Sequence, residues 1–107
     1  MTHERAVAIV RGKSGKARRK IGNNTIGVIH DDGSVGIILH ATEVVRIHAD
    51  GRYTLNTGGW QTVTTKARIN QYSPVRVYAR DFIWYVHPAH TLCGGGLKFF
   101  DGMIVGG

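Results

Sequence analysis

Two Asp-Gly pairs, Asp32-Gly33 and Asp50-Gly51, each set between alternating apolar residues, commit the middle of the chain to antiparallel hairpins. Closing the first turn on Asp32-Gly33 pairs His30 with Val35, Val28 with Ile37 and Ile26 with Leu39. That register gathers the aliphatic residues on one face. The second turn needs a three-residue loop, Ala49-Asp50-Gly51, with the glycine left-handed. Only then do Val45 and Ile47 share a face with Leu55 and Tyr53. Arg46, His48, Arg52 and Thr54 fall on the outer face as a weak basic surface. A last hairpin, turning at Arg80-Asp81, pairs Val75 with Val86, Val77 with Trp84 and Ala79 with Phe82, which makes Trp84 a core residue.

The other segments are less regular. Thr2 to Val10 reads as a short helix with Thr2 as N-cap and Ala6, Val7 and Val10 on one face, although Ala6 to Val10 also suits a strand. Gly22-Asn23-Asn24 is a turn, and Gly58-Gly59 breaks or bulges a strand. Thr64 or Thr65 caps a helix running to Gln71 or Tyr72, just before Pro74. Gly94-Gly95-Gly96 is a loop, and Leu97 to Val105 forms a final strand or a hairpin around Asp101-Gly102. No linker divides the chain. The expected fold class is α+β: one small domain over 1–107, mainly an antiparallel sheet of short hairpins or a partly closed barrel, with one or two short helices. It divides into an N-terminal helix or strand (2–10), a basic loop (11–20) and a β-rich body (21–107).

Charge narrows the function classes. The chain of 107 residues has 14 Lys and Arg against 7 Asp and Glu, a formal charge of +7. Arg11, Lys13, Lys16, Arg18, Arg19 and Lys20 supply six of those cations within ten residues, without an acid among them. The rest of the chain is close to neutral. Interleaved with Gly12, Ser14 and Gly15, the segment suits either a loop that contacts phosphates or a solvated linker. Gly12-Lys13-Ser14-Gly15-Lys16-Ala17 is not a phosphate-binding P-loop. That motif needs four residues between its glycines and a Ser or Thr after its lysine.

A second candidate contact is Trp60 with Lys66, Arg68 and Asn70. Flat glycines beside a tryptophan admit a base, and a threonine-capped helix start attracts phosphate. The preferred alternative makes Trp60 a core plug beside a glycine bulge, since tryptophan is usually well buried in small β domains. His87, His90 and Cys93 lie close in sequence but lack a fourth ligand, so no metal and no cofactor is expected. The acids Asp31, Asp32, Asp50, Asp81 and Asp101 are taken up by turns, and Cys93 sits beside three glycines that would hold a nucleophile poorly. An enzyme is therefore not expected. One cysteine fits a reducing compartment. No apolar run approaches the ~18 residues of a membrane span. Met1-Thr2-His3-Glu4 also lacks the basic start of a signal peptide, so a soluble intracellular protein without a membrane partner is expected.

Ile21-Gly22-Asn23-Asn24-Thr25, Leu39-His40-Ala41-Thr42-Glu43-Val44-Val45 and the stretch from Leu55 to Asn70 together resemble a family of small proteins encoded by tailed bacteriophages. The likeness continues more loosely through Trp84-Tyr85-Val86 and Phe100-Asp101-Gly102-Met103, covering most of the chain from Lys20 onward. Gly27 and Val28 depart from the larger or more polar residues usual after Asn-Asn-Thr. The family is uncharacterised, so the resemblance implies phage origin and action in the cytoplasm of an infected bacterium, and carries no site residues. The expected function is a non-enzymatic binding protein whose basic loop contacts DNA or RNA phosphates. The alternatives are a nucleotide-sequestering protein, an inhibitor of a host protein, and a self-assembling homo-oligomer.

Overall fold

A computed structural model describes residues 1–12, 15–88 and 97–106. Helix α1 (His3–Arg11) opens the chain, with the Thr2 hydroxyl accepting from the Arg5 N–H as N-cap. Glu4 in its first turn and Arg11 in its last complement the helix dipole. Five strands follow: β1 (Arg18–Gly22), β2 (Thr25–Ile29), β3 (Val35–Leu39), β4 (Thr42–Ile47) and β5 (Arg52–Leu55). After helix α2 (Val63–Tyr72) come β6 (Val75–Arg80), β7 (Ile83–Pro88), β8 (Leu97–Lys98) and β9 (Met103–Gly106). The architecture is α+β. A six-stranded antiparallel sheet, ordered β1-β2-β3-β4-β5-β9, accompanies a three-stranded sheet ordered β6-β7-β8. The larger sheet stays open instead of closing into a barrel, with β1 and β9 at its edges. One buried cluster joins Val10 of α1, Ile37, Ile47 and Leu55 of the larger sheet, Ile69 of α2, and Val77 and Val86 of the smaller sheet.

The segment 11–20 is not one loop. Arg11 ends α1, and Arg18 already belongs to β1, which pairs Arg18 with Val28, Arg19 with Gly27 and Lys20 with Ile26. Ladder hydrogen bonding to β2 draws Arg18, Arg19 and Lys20 into a strand, while Gly12 and Gly15 lie before it at positive φ.

The first hairpin is shifted by one residue from the expected register. Gly27 pairs with Ile37, Thr25 with Leu39 and Ile29 with Val35. The loop is Asp31-Asp32-Gly33, closed by His30 N–H on the Ser34 carbonyl at 2.8 Å, with Gly33 at φ +85°. Asp32 selects it, taking both the N–H and the hydroxyl of Ser34 at 2.9 and 2.6 Å. The shift turns Gly27 toward α1 and leaves Ile26 and Val28 half-buried on the other face. The second hairpin has the expected register, Ile47 with Tyr53 and Val45 with Leu55, and Gly51 stands at φ +90°.

These turns carry an acid-sensitivity. The Ser34 hydroxyl, then its N–H, and Arg46 hold the Asp32 carboxyl at about 2, below its ordinary 3.8. A carboxyl lowered by folding stabilises the fold above its unfolded value, and that support is lost as pH falls from 3.8 through about 2. Asp32→Asn is expected to flatten this part of an acid titration followed by circular dichroism; an unaltered titration would remove Asp32 from the account.

Three more expectations change. The β6–β7 turn is Asp81-Phe82, both at positive φ, pairing Val77 with Val86 and Ala79 with Trp84. A two-residue shift keeps every face, so Trp84 is core as expected, but Phe82 is expelled to the tip and fully exposed. Helix α2 starts earlier than expected, because Thr62 is the cap that accepts from the Thr65 N–H. The end of the chain is not a hairpin either. β8 joins β7, whereas β9 joins β5. Asp101 explains the split, accepting from the N–H and hydroxyl of buried Thr57 at 2.8 Å each, while Gly102 N–H donates to the Leu55 carbonyl.

Candidate nucleic-acid interface

Strand alternation sorts the basic segment into two groups. Arg18 and Lys20 share a face with Ile26 and Val28, while Arg19 points to the opposite face, toward α1. Arg19 Nη1 donates to the Ile9 carbonyl at 3.0 Å and so satisfies an end carbonyl of that helix. Arg11 sits in the last helical turn. Lys16, Arg18 and Lys20 are exposed, with no ion-pair or hydrogen-bond partner for their side chains among the described residues. Lys13 lies outside the described residues. The basic segment thus contains at least one residue, Arg19, engaged in holding the fold.

Trp60 overturns the core-plug expectation, being 69% exposed. Gly58 and Gly59 stand at φ +62° and +88°, and their N–H groups are taken by Asn56 Oδ1 and the Thr57 hydroxyl. This tight turn aims Trp60 outward, and Trp84 fills the core instead. Trp60 borders a cavity of about 500 Å³ whose wall includes Leu39, His40, Thr42, Val44 and Thr65. A second cavity, about 290 Å³, is lined by Lys20, Asn24, Thr25, Ile26 and His40. His40 borders both, so the two cavities adjoin, with Lys20 of β1 on one and Trp60 on the other.

The other residues grouped with Trp60 hold α2 in place. Lys66 Nζ lies 5.9 Å from the Trp84 ring centroid. Arg68 Nε donates to the Thr25 hydroxyl at 2.9 Å, anchoring α2 to β2. The Asn70 amide matches the Val77 backbone, accepting from its N–H at 2.6 Å and donating to its carbonyl at 3.0 Å. Of the four residues, Trp60 is the one whose side chain is exposed without a hydrogen-bond or ring partner among the described residues.

The weak basic surface on the larger sheet is neutralised. Arg46 pairs with Asp32 at 3.1 Å and Arg52 with Asp50 at 2.7 Å. Gly36 leaves room for His30 Nε2 and Glu43 Oε2 to meet at 2.7 Å. No group of three metal-ligating side chains occurs among the described residues; His90 and Cys93 lie outside them.

Sequence reasoning missed one surface. Arg76, Tyr78 and Arg80 alternate with Val75, Val77 and Ala79, and the β6–β7 register sets His87 and Tyr85 opposite the first two. Lys98 of β8 pairs with Tyr85. The Tyr78 and Tyr85 rings stack with centroids 5.7 Å apart at 25°. The signal is the polar half of the same alternation whose apolar half forms the core.

No helix among the described residues is long and apolar enough to cross a membrane. No curated protein and no solved structure matches the chain. A family model described as Kyanoviridae Gp96 protein matches residues 1–106, in keeping with the phage resemblance of its central motifs. The chain therefore belongs to the Kyanoviridae Gp96 protein family of bacteriophages.

Proposed function

We propose that this phage protein is a non-enzymatic nucleic-acid-binding protein acting in the infected bacterium. Lys16, Arg18 and Lys20 take phosphates, and the surface past His40 carries a neighbouring base to Trp60. The observation that supports this most is the pair of adjoining cavities, with Lys20 at one end, exposed Trp60 at the other and His40 between. Cations supply salt-dependent affinity through counterion release, and an exposed indole supplies a stacking platform.

Binding of labelled DNA and RNA across a salt series tests the reading. Replacing Lys16, Arg18 and Lys20 together by glutamine is expected to flatten the log K against log salt slope by about 2 to 3, since each lost phosphate contact removes about 0.7–0.9. Arg19 is left intact because it supports α1. Trp60→Ala is expected to cost about 1–3 kcal/mol with single strands. An unchanged slope in the triple variant would overturn the reading. The cavity beside Trp60 also has a volume suited to a free nucleotide. A nucleotide-sequestering role is favoured instead if a mononucleotide raises Tm while oligonucleotides do not bind.

A further inference from the structure

We infer that the outer face of the three-stranded sheet β6-β7-β8 is a base-stacking surface for single-stranded nucleic acid. The inference deepens the nucleic-acid reading by naming the strandedness of the ligand, and it shares with it the ligand class but none of its residues. In an antiparallel sheet directly paired residues share a face. The pairs Arg76–His87, Tyr78–Tyr85 and Tyr85–Lys98 therefore bring five polar and aromatic side chains to one side, with Arg80 beside Ile83 toward the tip. The opposite side is core: Val75, Val77, Trp84 and Val86 are all buried.

Three properties of this face point to unpaired bases. Its charge is mainly positive: Arg76, Arg80 and Lys98 are exposed cations without an ion-pair partner among the described residues, and the nearby acid, Asp81 of the turn, pairs with none of them. Its centre is aromatic, the half-buried Tyr78 and Tyr85 stacking on each other at an interplanar angle of 25°. Its tip carries Phe82, fully exposed and held at φ 65°, a backbone region that disfavours a bulky side chain. A duplex keeps its bases stacked on one another and offers such a face only phosphates. A single strand offers phosphates to the cations and ring faces to the tyrosines.

The test compares a labelled oligo-dT, a duplex of equal length and inorganic polyphosphate, read by fluorescence anisotropy, or by competition for polyphosphate. Tyr78→Leu and Tyr85→Leu keep apolar bulk on the strands and remove the stacking surface. Each is expected to weaken oligo-dT binding about 5- to 150-fold, the range of one lost base stack, and to leave polyphosphate unchanged. Arg76→Gln, Arg80→Gln and Lys98→Gln together, at exposed positions that leave the core alone, are expected to weaken both ligands. If the tyrosine variants, folded by circular dichroism, and the charge variant all bind oligo-dT like the parent, the inference is overturned. In that event a loss in the Lys16, Arg18 and Lys20 variant would leave the proposed function standing. Conversely, loss with the tyrosine variants alone supports this face and sinks the β1 site. Equal affinity for duplex and single strand, unmoved by the tyrosine changes, also overturns it.

Discussion

Replacing Ile69 by alanine is expected to destabilise the protein by about 2–5 kcal/mol, the cost of a buried isoleucine truncated to leave a cavity. Ile69 has no exposed surface, and its helix α2 packs against β3 and β4 of the larger sheet and β6 of the smaller. The cavity therefore opens at the junction of the two sheets, where collapse of one wall onto another requires a whole element to move. Asn70, the next residue, ties α2 to Val77 through two hydrogen bonds between its side-chain amide and the Val77 backbone, so the helix cannot settle inward without straining them. Domains of this size are stable by only about 5–15 kcal/mol, which makes the loss a large share of the total. Urea unfolding followed by circular dichroism reads it directly. Ile69→Val should cost only about 0.5–1.5 kcal/mol. Ile104→Ala, at a residue 57% exposed, should stay within about 0.5 kcal/mol. If Ile69→Ala behaves like Ile104→Ala, the helix is not the junction between the sheets.

How far the fold was legible depended on what each stretch of chain had to satisfy. The Asp50-Gly51 hairpin was read correctly because apolar residues on both arms had to share a face, and one loop length alone achieved it. Applied to Asp32-Gly33, the same argument chose the wrong register. It maximised aliphatic residues on one face, whereas the folded chain spends that face partly on Thr25 and Gly27, which lie beneath the helices. A helix that will lie on a strand is invisible in the strand's own alternation. The β6–β7 hairpin shows the converse. A two-residue error in register leaves every side chain on its proper face, so the core assignment survived although the turn was misplaced. Asp101 lies in a turn, as its Asp-Gly pair indicates, and its bonds to Thr57, remote in sequence, also divide the C-terminal strands between two sheets.

The candidate site was legible in charge and not in geometry. The run from Arg11 to Lys20 was visible as a cluster, but only strand pairing separates Arg18 and Lys20 from Arg19, which serves α1. Trp60 was assigned to the core on the general habit of tryptophan. Two left-handed glycines before it reverse the chain and turn the ring to solvent, and Trp84 satisfies the core's need. Lys66, Arg68 and Asn70 are grouped with Trp60 in the sequence because they are polar and close to it. Each has a partner across the fold that the sequence does not announce.

Gly27→Val is expected to destabilise the protein as strongly as a core truncation, in the opposite sense of packing. A Cβ at Gly27 would stand 2.5 Å from Val10 Cγ2 and 3.4 Å from Ile21 Cδ1. Val10 is buried, and its β-branched side chain has one strongly preferred rotamer in a helix, so it cannot swing aside cheaply. Gly27 is in a strand at ordinary φ, where replacing glycine by alanine would otherwise stabilise by about 0.4–1 kcal/mol through the unfolded chain. Overpacking costs about 1–3 kcal/mol and opposes that gain, so the contact decides the sign even for Gly27→Ala. The larger valine should reach the upper end of that range. The decisive measurement is a double-mutant cycle. Val10→Ala alone should destabilise by opening a cavity, yet combined with Gly27→Ala it removes the clash that the new methyl group creates. The double variant is then expected to lose less stability than the two single losses added, by about 0.5–3 kcal/mol. Strict additivity in urea unfolding would mean that α1 does not rest on Gly27. Positive coupling ties the glycine to the helix above it: a side chain at this position would enter the space that Val10 occupies.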